Sequence, residues 1–191
     1  MLRKLLLTSA SLFLLWQSCK LAPQLVDLRD ASAPLLIFVA WVYCLFVTGI
    51  FAFAGFAYPT ERLLPEGYYT ITNPPGLRRW YRILRVDWFR SALLATLWRS
   101  KEQGRRYFNG RRDGIGHLRQ QSMKSEFGHL VPFLLLSAYA GYLSFRAAYV
   151  LAAAVFVINV VGNLYPVLLQ RYHRMRLQRL YSPESKLRDT A

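Results

Sequence analysis

Glu126 and His129 sit three residues apart, where a polar stretch gives way to an apolar one. On a helix that spacing puts a carboxylate and an imidazole on one face. A neutral imidazole, with a reference pKa of about 6.5, is a usable general base near neutral pH. The carboxylate could orient the ring. Asn163 carries an amide that could donate to a developing oxyanion. Gln170, Arg171, Tyr172, Arg174 and Arg176 follow it closely, and arginines suit phosphate groups. A histidine and a carboxylate on one helix face, with these polar groups following, look like a site for acid–base chemistry.

Each residue has a plainer rival. His129 could be an interfacial histidine that only caps or hydrogen-bonds. Asn163 could bond across helices, as polar residues in bundles do. Arg174 and Arg176 could merely anchor a helix end. His117 and His173 lie in basic stretches and are left aside. No metal is expected, because ferritin-like sites need two Glu-x-x-His pairs plus further carboxylates, and this chain has one. Cys19 and Cys44 stand in apolar surroundings without a CxxC.

The elements that must position these groups are apolar runs. One leads from His129 to Phe145 and the next from Ala147 to Leu169, with Arg146 between them. Each has about the 17–25 residues that cross a bilayer as a helix. So little chain separates them that they must form a tight antiparallel hairpin. His129 lies seventeen residues before Arg146 and Asn163 seventeen after it. Equal counts at equal rise mean equal depth. Glu126, His129, Asn163, Gln170, Arg171 and Tyr172 should therefore gather near one membrane surface.

Upstream, Leu5–Trp16 is apolar behind a basic start. It resembles a signal peptide, but the residues around Cys19 make a poor cleavage site. An uncleaved anchor ending near Leu21 is expected, with a helix lying in the surface as the rival. Pro23–Pro34 reads as a loop. Leu35–Ala57 has no charge and contains Trp41, Tyr43 and five phenylalanines, the clearest spanning helix. Tyr58–Glu126 carries fourteen Lys/Arg against six Asp/Glu. Within it, Asn73-Pro74-Pro75-Gly76 breaks the chain. Leu77–Arg99 then interleaves Trp80, Trp88 and Trp98 with Arg78, Arg79, Arg82, Arg85 and Arg90. That mixture predicts one helix in the headgroup layer. Arg105–Gly114 reads as a turn, and Ile115–Ser125 as a helical lead into the hairpin.

The whole composition agrees. The 191 residues are 54% hydrophobic, yet the formal net charge is +15. A basic soluble nucleic-acid binder would not carry several uncharged apolar runs, so no nucleic acid is expected. The fold class is all-α integral membrane, with four spanning helices (three is the rival count), a C-terminal hairpin and a basic interfacial helix. One membrane domain is expected: anchor helices over 1–57, a basic segment over 58–126, and the hairpin with its basic tail over 127–180. Anionic lipids are expected partners of the basic segment, at about 1 kcal/mol per Lys or Arg near the surface.

Ser125-Glu126-Phe127-Gly128-His129, with Asn163 and Gln170-Arg171-Tyr172-x-Arg174-x-Arg176-Leu177, resembles the glycosyl-4,4′-diaponeurosporenoate acyltransferases of bacterial carotenoid synthesis. The likeness runs from Trp80 to about Leu180. It implies a multi-pass enzyme of the bacterial cytoplasmic membrane that esterifies a sugar hydroxyl on a C30 carotenoid glycoside. The donor would be a long-chain fatty acyl group, carried by acyl-CoA or another carrier, with no further cofactor. Glu126, His129 and Asn163 would be catalytic. Gln170, Arg171, Tyr172, Arg174 and Arg176 would bind substrate. A non-enzymatic membrane protein, binding anionic lipid or serving as a small subunit, is the alternative.

Basic segments stay in the cytoplasm. With four spans, both termini and Tyr58–Glu126 lie inside, and the loop around Ser32 lies outside. Single cysteines at Ser32 and Ser182, in a cysteine-free background, test this with an impermeant thiol reagent applied from outside. Ser32→Cys should label and Ser182→Cys should not. Labelling at position 182 would reverse the orientation.

Overall fold

The computed structural model describes residues 1–96 and 114–180, and all regular structure among them is helical. The turn expected over Arg105–Gly114, Trp98, and the tail beyond Leu180 lie outside the described residues. Four helical stretches are long and apolar enough to cross a membrane: Leu2–Asp27, Ala33–Ala57, Gly116–Phe145 and Tyr149–Gln178. The chain folds as two compact units, residues 1–60 with 127–166, and residues 61–126 with the chain from Val167 on.

The first unit holds α1 (Leu2–Asp27), α2 (Ala33–Ala57), the later part of α6 (Gly114–Phe145), and α7 (Tyr149–Asn159) with the π turn Val160–Leu164. α1 is longer than expected. It passes through Pro23, which has no N–H to offer to Cys19's carbonyl. Leu25 and Val26 beyond the proline are nearly buried, and their packing holds the last turn in place of that bond. Loop conformation is left only to the few residues before α2. α1 approaches α2 closely at Gly49, where a Cβ would stand 2.7 Å from Leu14 Cδ1. A small residue at such a crossing lets two membrane helices come together. Ser11 Oγ donates to the Ile50 carbonyl at 2.9 Å beside it. Leu36, Ala40, Tyr43, Cys44 and Val47 of α2 then pack with Leu136, Ala140 and Leu143 of α6 and Leu151, Ala152 and Val155 of α7.

The turn between α6 and α7 is a Schellman motif. Ala148 N donates to the Leu143 carbonyl at 2.9 Å, and Ala147 N to that of Ser144 at 3.0 Å. Ala147 is accordingly left-handed, with φ 59°. Leu143 and Ala148 supply the apolar contact that goes with the motif, at 0% and 2% exposure. The reversal is centred one residue beyond Arg146, whose guanidinium donates to the Tyr142 hydroxyl at 3.2 Å.

The second unit contains a 3-10 turn (Thr60–Leu63, from its second residue on), α3 (Glu66–Tyr69), α4 (Pro74–Ile83), α5 (Val86–Thr96), the start of α6, and most of α8 (Tyr165–Leu180). Asn73 Oδ1 accepts from Gly76 N at 2.9 Å and caps α4, whose first turn has the prolines that tolerate a missing N–H. The single helix expected over Leu77–Arg99 is instead two, parted at Leu84–Arg85. Arg85 adopts φ 49°, and Val86 just after it is fully buried with Tyr81 and Leu169. Burying both Tyr81 and Val86 requires that reversal, which no glycine or proline announces. Tyr81 also stacks on Tyr172, centroid to centroid 4.2 Å. Arg79, Trp80, Arg82, Ile83 and Trp88 remain exposed.

A left-handed alanine costs about 1–2 kcal/mol. Ala147→Gly should remove most of that and keep the Schellman bonds, against a smaller entropic loss. The variant is expected to be more stable by about 1 kcal/mol in thermal unfolding in detergent. Unchanged or lowered stability would count against the turn described here.

Candidate functional site

In the first unit, one chain of amide bonds runs through the apolar core. Asn159 is fully buried, and its Nδ2 donates to the Phe133 carbonyl at 2.9 Å and to Ser137 Oγ at 3.1 Å. A carbonyl can only accept, so the orientation of the Asn159 amide is fixed. Its Oδ1 faces Asn163, whose Nδ2 donates to it at 3.0 Å. The same Nδ2 donates to Thr48 Oγ1 at 3.1 Å. Thr48 Oγ1, at 3.2 Å, and His129 Nδ1, at 3.1 Å, therefore face Asn163 Oδ1. That oxygen has no proton to give, so Nδ1 carries the proton and Nε2 keeps its lone pair. A backbone carbonyl on α6 thus sets, through two asparagines, which imidazole nitrogen can act as a base.

The residues counted to equal depth about Arg146 are the two that meet. Asn163 is 1% exposed and lies in the π turn Val160–Leu164, a type of helix defect common at functional sites. His129 is half-buried. Thr48 and Asn159 escape a reading built on the hairpin alone. Their signal was present, since both are polar residues inside otherwise apolar runs, and Asn159 stands four before Asn163.

The second unit collects most of the other candidate residues. Glu126 is fully buried and Arg174 is 2% exposed, and Arg174 Nη2 is paired with Glu126 Oε2. Arg174 also donates from Nη1 to Ser122 Oγ at 3.1 Å and from Nε to the Tyr69 carbonyl at 3.3 Å. Its guanidinium lies 5.3 Å from the Tyr69 ring centroid. Arg171 Nε lies 3.7 Å from Glu126 Oε1, and Arg171 Nη2 donates to the Tyr68 carbonyl at 3.2 Å. Ser122 Oγ in turn donates to the Gln170 carbonyl at 3.1 Å. Burial pushes the Tyr69 phenol up to about 12, so it stays protonated at neutral pH. Gln170 takes part through its backbone and Tyr172 through its ring on Tyr81, while Arg176 is exposed. Glu126 thus takes arginines as partners, and orientation of the imidazole falls to Asn163. Ser122 and the Tyr68–Tyr69 carbonyls are further members that no motif singled out.

The glycosyl-4,4′-diaponeurosporenoate acyltransferase family model matches residues 65–183. That is well over half of the chain. The chain belongs to this acyltransferase family. The matched stretch includes Glu126, His129, Asn163, Gln170, Arg171, Tyr172, Arg174 and Arg176, and leaves α1 and α2, with Thr48, outside. No curated protein and no solved structure matches the chain.

A buried carboxylate that loses its cation is left uncompensated, at a cost of about 3–5 kcal/mol. Arg174→Ala should therefore lower stability by that amount in detergent unfolding. Replacing both partners with apolar residues, Glu126→Leu with Arg174→Met, should recover much of the loss. A harmless Arg174→Ala would show that the pair is not buried as described.

Proposed function

We propose that the protein transfers a long-chain fatty acyl group to a sugar hydroxyl of a glycosylated carotenoid, working in the bacterial cytoplasmic membrane. The reading draws its acceptor from the family's name and its chemistry from one observation: an imidazole in an apolar bundle whose Nδ1 is held by Asn163, leaving Nε2 as a base. His129 Nε2 takes the proton as the sugar oxygen attacks the acyl carbonyl carbon. The tetrahedral intermediate then collapses, the ester forms, and the carrier leaves as a thiolate that receives the proton back from the imidazolium. Asn163 holds the ring in the right tautomer, because its amide nitrogen is occupied by Asn159 and Thr48.

Arg174 and Glu126 brace the second unit from within. Arg171, whose side chain is 27% exposed, and the exposed Arg176 are the cations that can meet an anionic donor such as acyl-CoA. Gln170 and Tyr172 hold that segment of α8 in place. The exposed arginines and tryptophans of α4 and α5 suit an anionic leaflet on the cytoplasmic side. No cofactor beyond the acyl donor is needed for this reaction.

His129→Ala should reduce ester formation by a factor of about 10²–10⁴, the usual cost of losing a general base. Asn163→Ala should reduce it less, by loosening the ring. The measurement is acylation of a carotenoid glucoside by purified, equally expressed variants supplied with an acyl donor. Equal turnover by wild type and His129→Ala would remove His129 from the mechanism. Inactivity of the wild type toward every acyl donor and glycolipid acceptor would favour a lipid-binding membrane protein instead.

A further inference from the structure

The first unit contains a cavity of about 360 Å³ between α2 and the α7–π turn segment. Trp41 and Leu45 form its wall on α2, and Val157 and Val161 form the opposite one. All four are about half exposed, so the cavity is a groove that opens sideways on the apolar surface. Thr48 and Asn163 lie at one end, and Trp41 lies two helical turns before Thr48 on α2. Asn163 is the residue that holds His129. A hydrocarbon slot therefore runs up to the polar atoms that fix the imidazole.

We propose that this groove binds the alkyl chain of the fatty acyl donor, with the acyl carbonyl at the Thr48–Asn163 end. The inference rests on the acyl-transfer reading and names a part of its substrate site. At about 30 Å³ for a group the size of a water molecule, the groove holds on the order of a dozen carbons, a stretch of fatty chain. Chemistry favours an acyl carbonyl over the bare tail of a bystander lipid. Thr48 and Asn163 put polar atoms at that end of the groove, where a carbonyl dipole is better placed than a bare hydrocarbon end.

Gly162 offers a direct way to test the groove. It lines the cavity, and a Cβ built there meets nothing within 4 Å. A side chain can therefore start from this lining position without its Cβ displacing protein atoms. Gly162→Leu should shift donor preference toward shorter chains, with the long-to-short ratio of kcat/KM falling by about tenfold or more, as for a pocket losing room for a methylene. Trp41→Ala should move the preference toward longer chains. In parallel, wild-type protein in phosphatidylglycerol nanodiscs is photolabelled with an acyl-CoA analogue bearing a diazirine on its chain. Adducts are located by mass spectrometry.

Adducts within 41–48 and 157–163 that unlabelled acyl-CoA displaces are the expected result. Adducts there that only excess phospholipid displaces would mean a bystander lipid and overturn the proposal. Uniform loss across chain lengths in Gly162→Leu, or adducts elsewhere in an active enzyme, would also overturn it while leaving acyl transfer standing. Displaceable labelling of the groove in a protein inactive toward every donor would keep the groove and remove the acyl-transfer reading.

Discussion

Inside a hydrocarbon layer, a polar group without a partner costs several kcal/mol, because no water is there to help. The Phe133–Asn159–Asn163–His129 chain is the answer to that constraint in the first unit. Its logic has a direction. A backbone carbonyl accepts and cannot donate, so each amide downstream has one allowed orientation. By the time the chain reaches His129, the tautomer of the ring is decided. Ser137 and Thr48 take up further valences along the way, tying α6, α7 and α2 together through polar atoms. Removing a link would both loosen the helices and release the ring, so structure and chemistry are held by the same bonds.

The second unit meets the same constraint with charge. Arg174 and Glu126 are each almost wholly withdrawn from solvent. Taking both ions from water is costly, and the pair is tolerable only if the remaining donors are also satisfied. Ser122 and the Tyr69 carbonyl satisfy two of them, and the Tyr69 ring covers a guanidinium face. The planar fork of an arginine can serve three partners in three directions, which a lysine cannot. Such an arrangement contributes little net stability compared with an apolar replacement, but it ties α6, α8 and the end of α3 to one geometry.

Much of this was legible in the sequence because apolar length and symmetry are strong signals. Two uninterrupted runs around Arg146 can only form a hairpin, and counting outward from it matched His129 with Asn163. What escaped was decided by packing between distant segments. Nothing near Arg85 announces a break, since the left-handed residue there is neither glycine nor asparagine; the burial of Val86 and Tyr81 imposes it. Pro23 looked like the start of a loop, but the burial of Leu25 and Val26 outweighs one missing bond. Glu126 and His129 share a spacing that suggested a couple. Spacing along one helix, however, does not say which partner the rest of the fold brings. Arg174 lies forty-eight residues on, and it pairs with Glu126 at full burial.

The choice of asparagine as the partner of the imidazole follows from the surroundings. A carboxylate on Nδ1 would stabilise an imidazolium and make Nε2 a stronger base. It would also put a permanent charge inside the apolar bundle, where an unpaired ion is far more costly than a neutral amide. Asn163 keeps the resting site neutral while still fixing the tautomer. On the proposed reading this has a kinetic consequence. With no anion to hold it, the imidazolium formed during attack is poorly stabilised, and its proton must pass quickly to the departing thiolate. Such a site favours an acceptor hydroxyl and an acyl carbonyl that are already in place together, because alignment must supply what a charged partner would have given. A groove that holds the acyl chain and ends at the imidazole's own orienting residue is a means of providing that alignment.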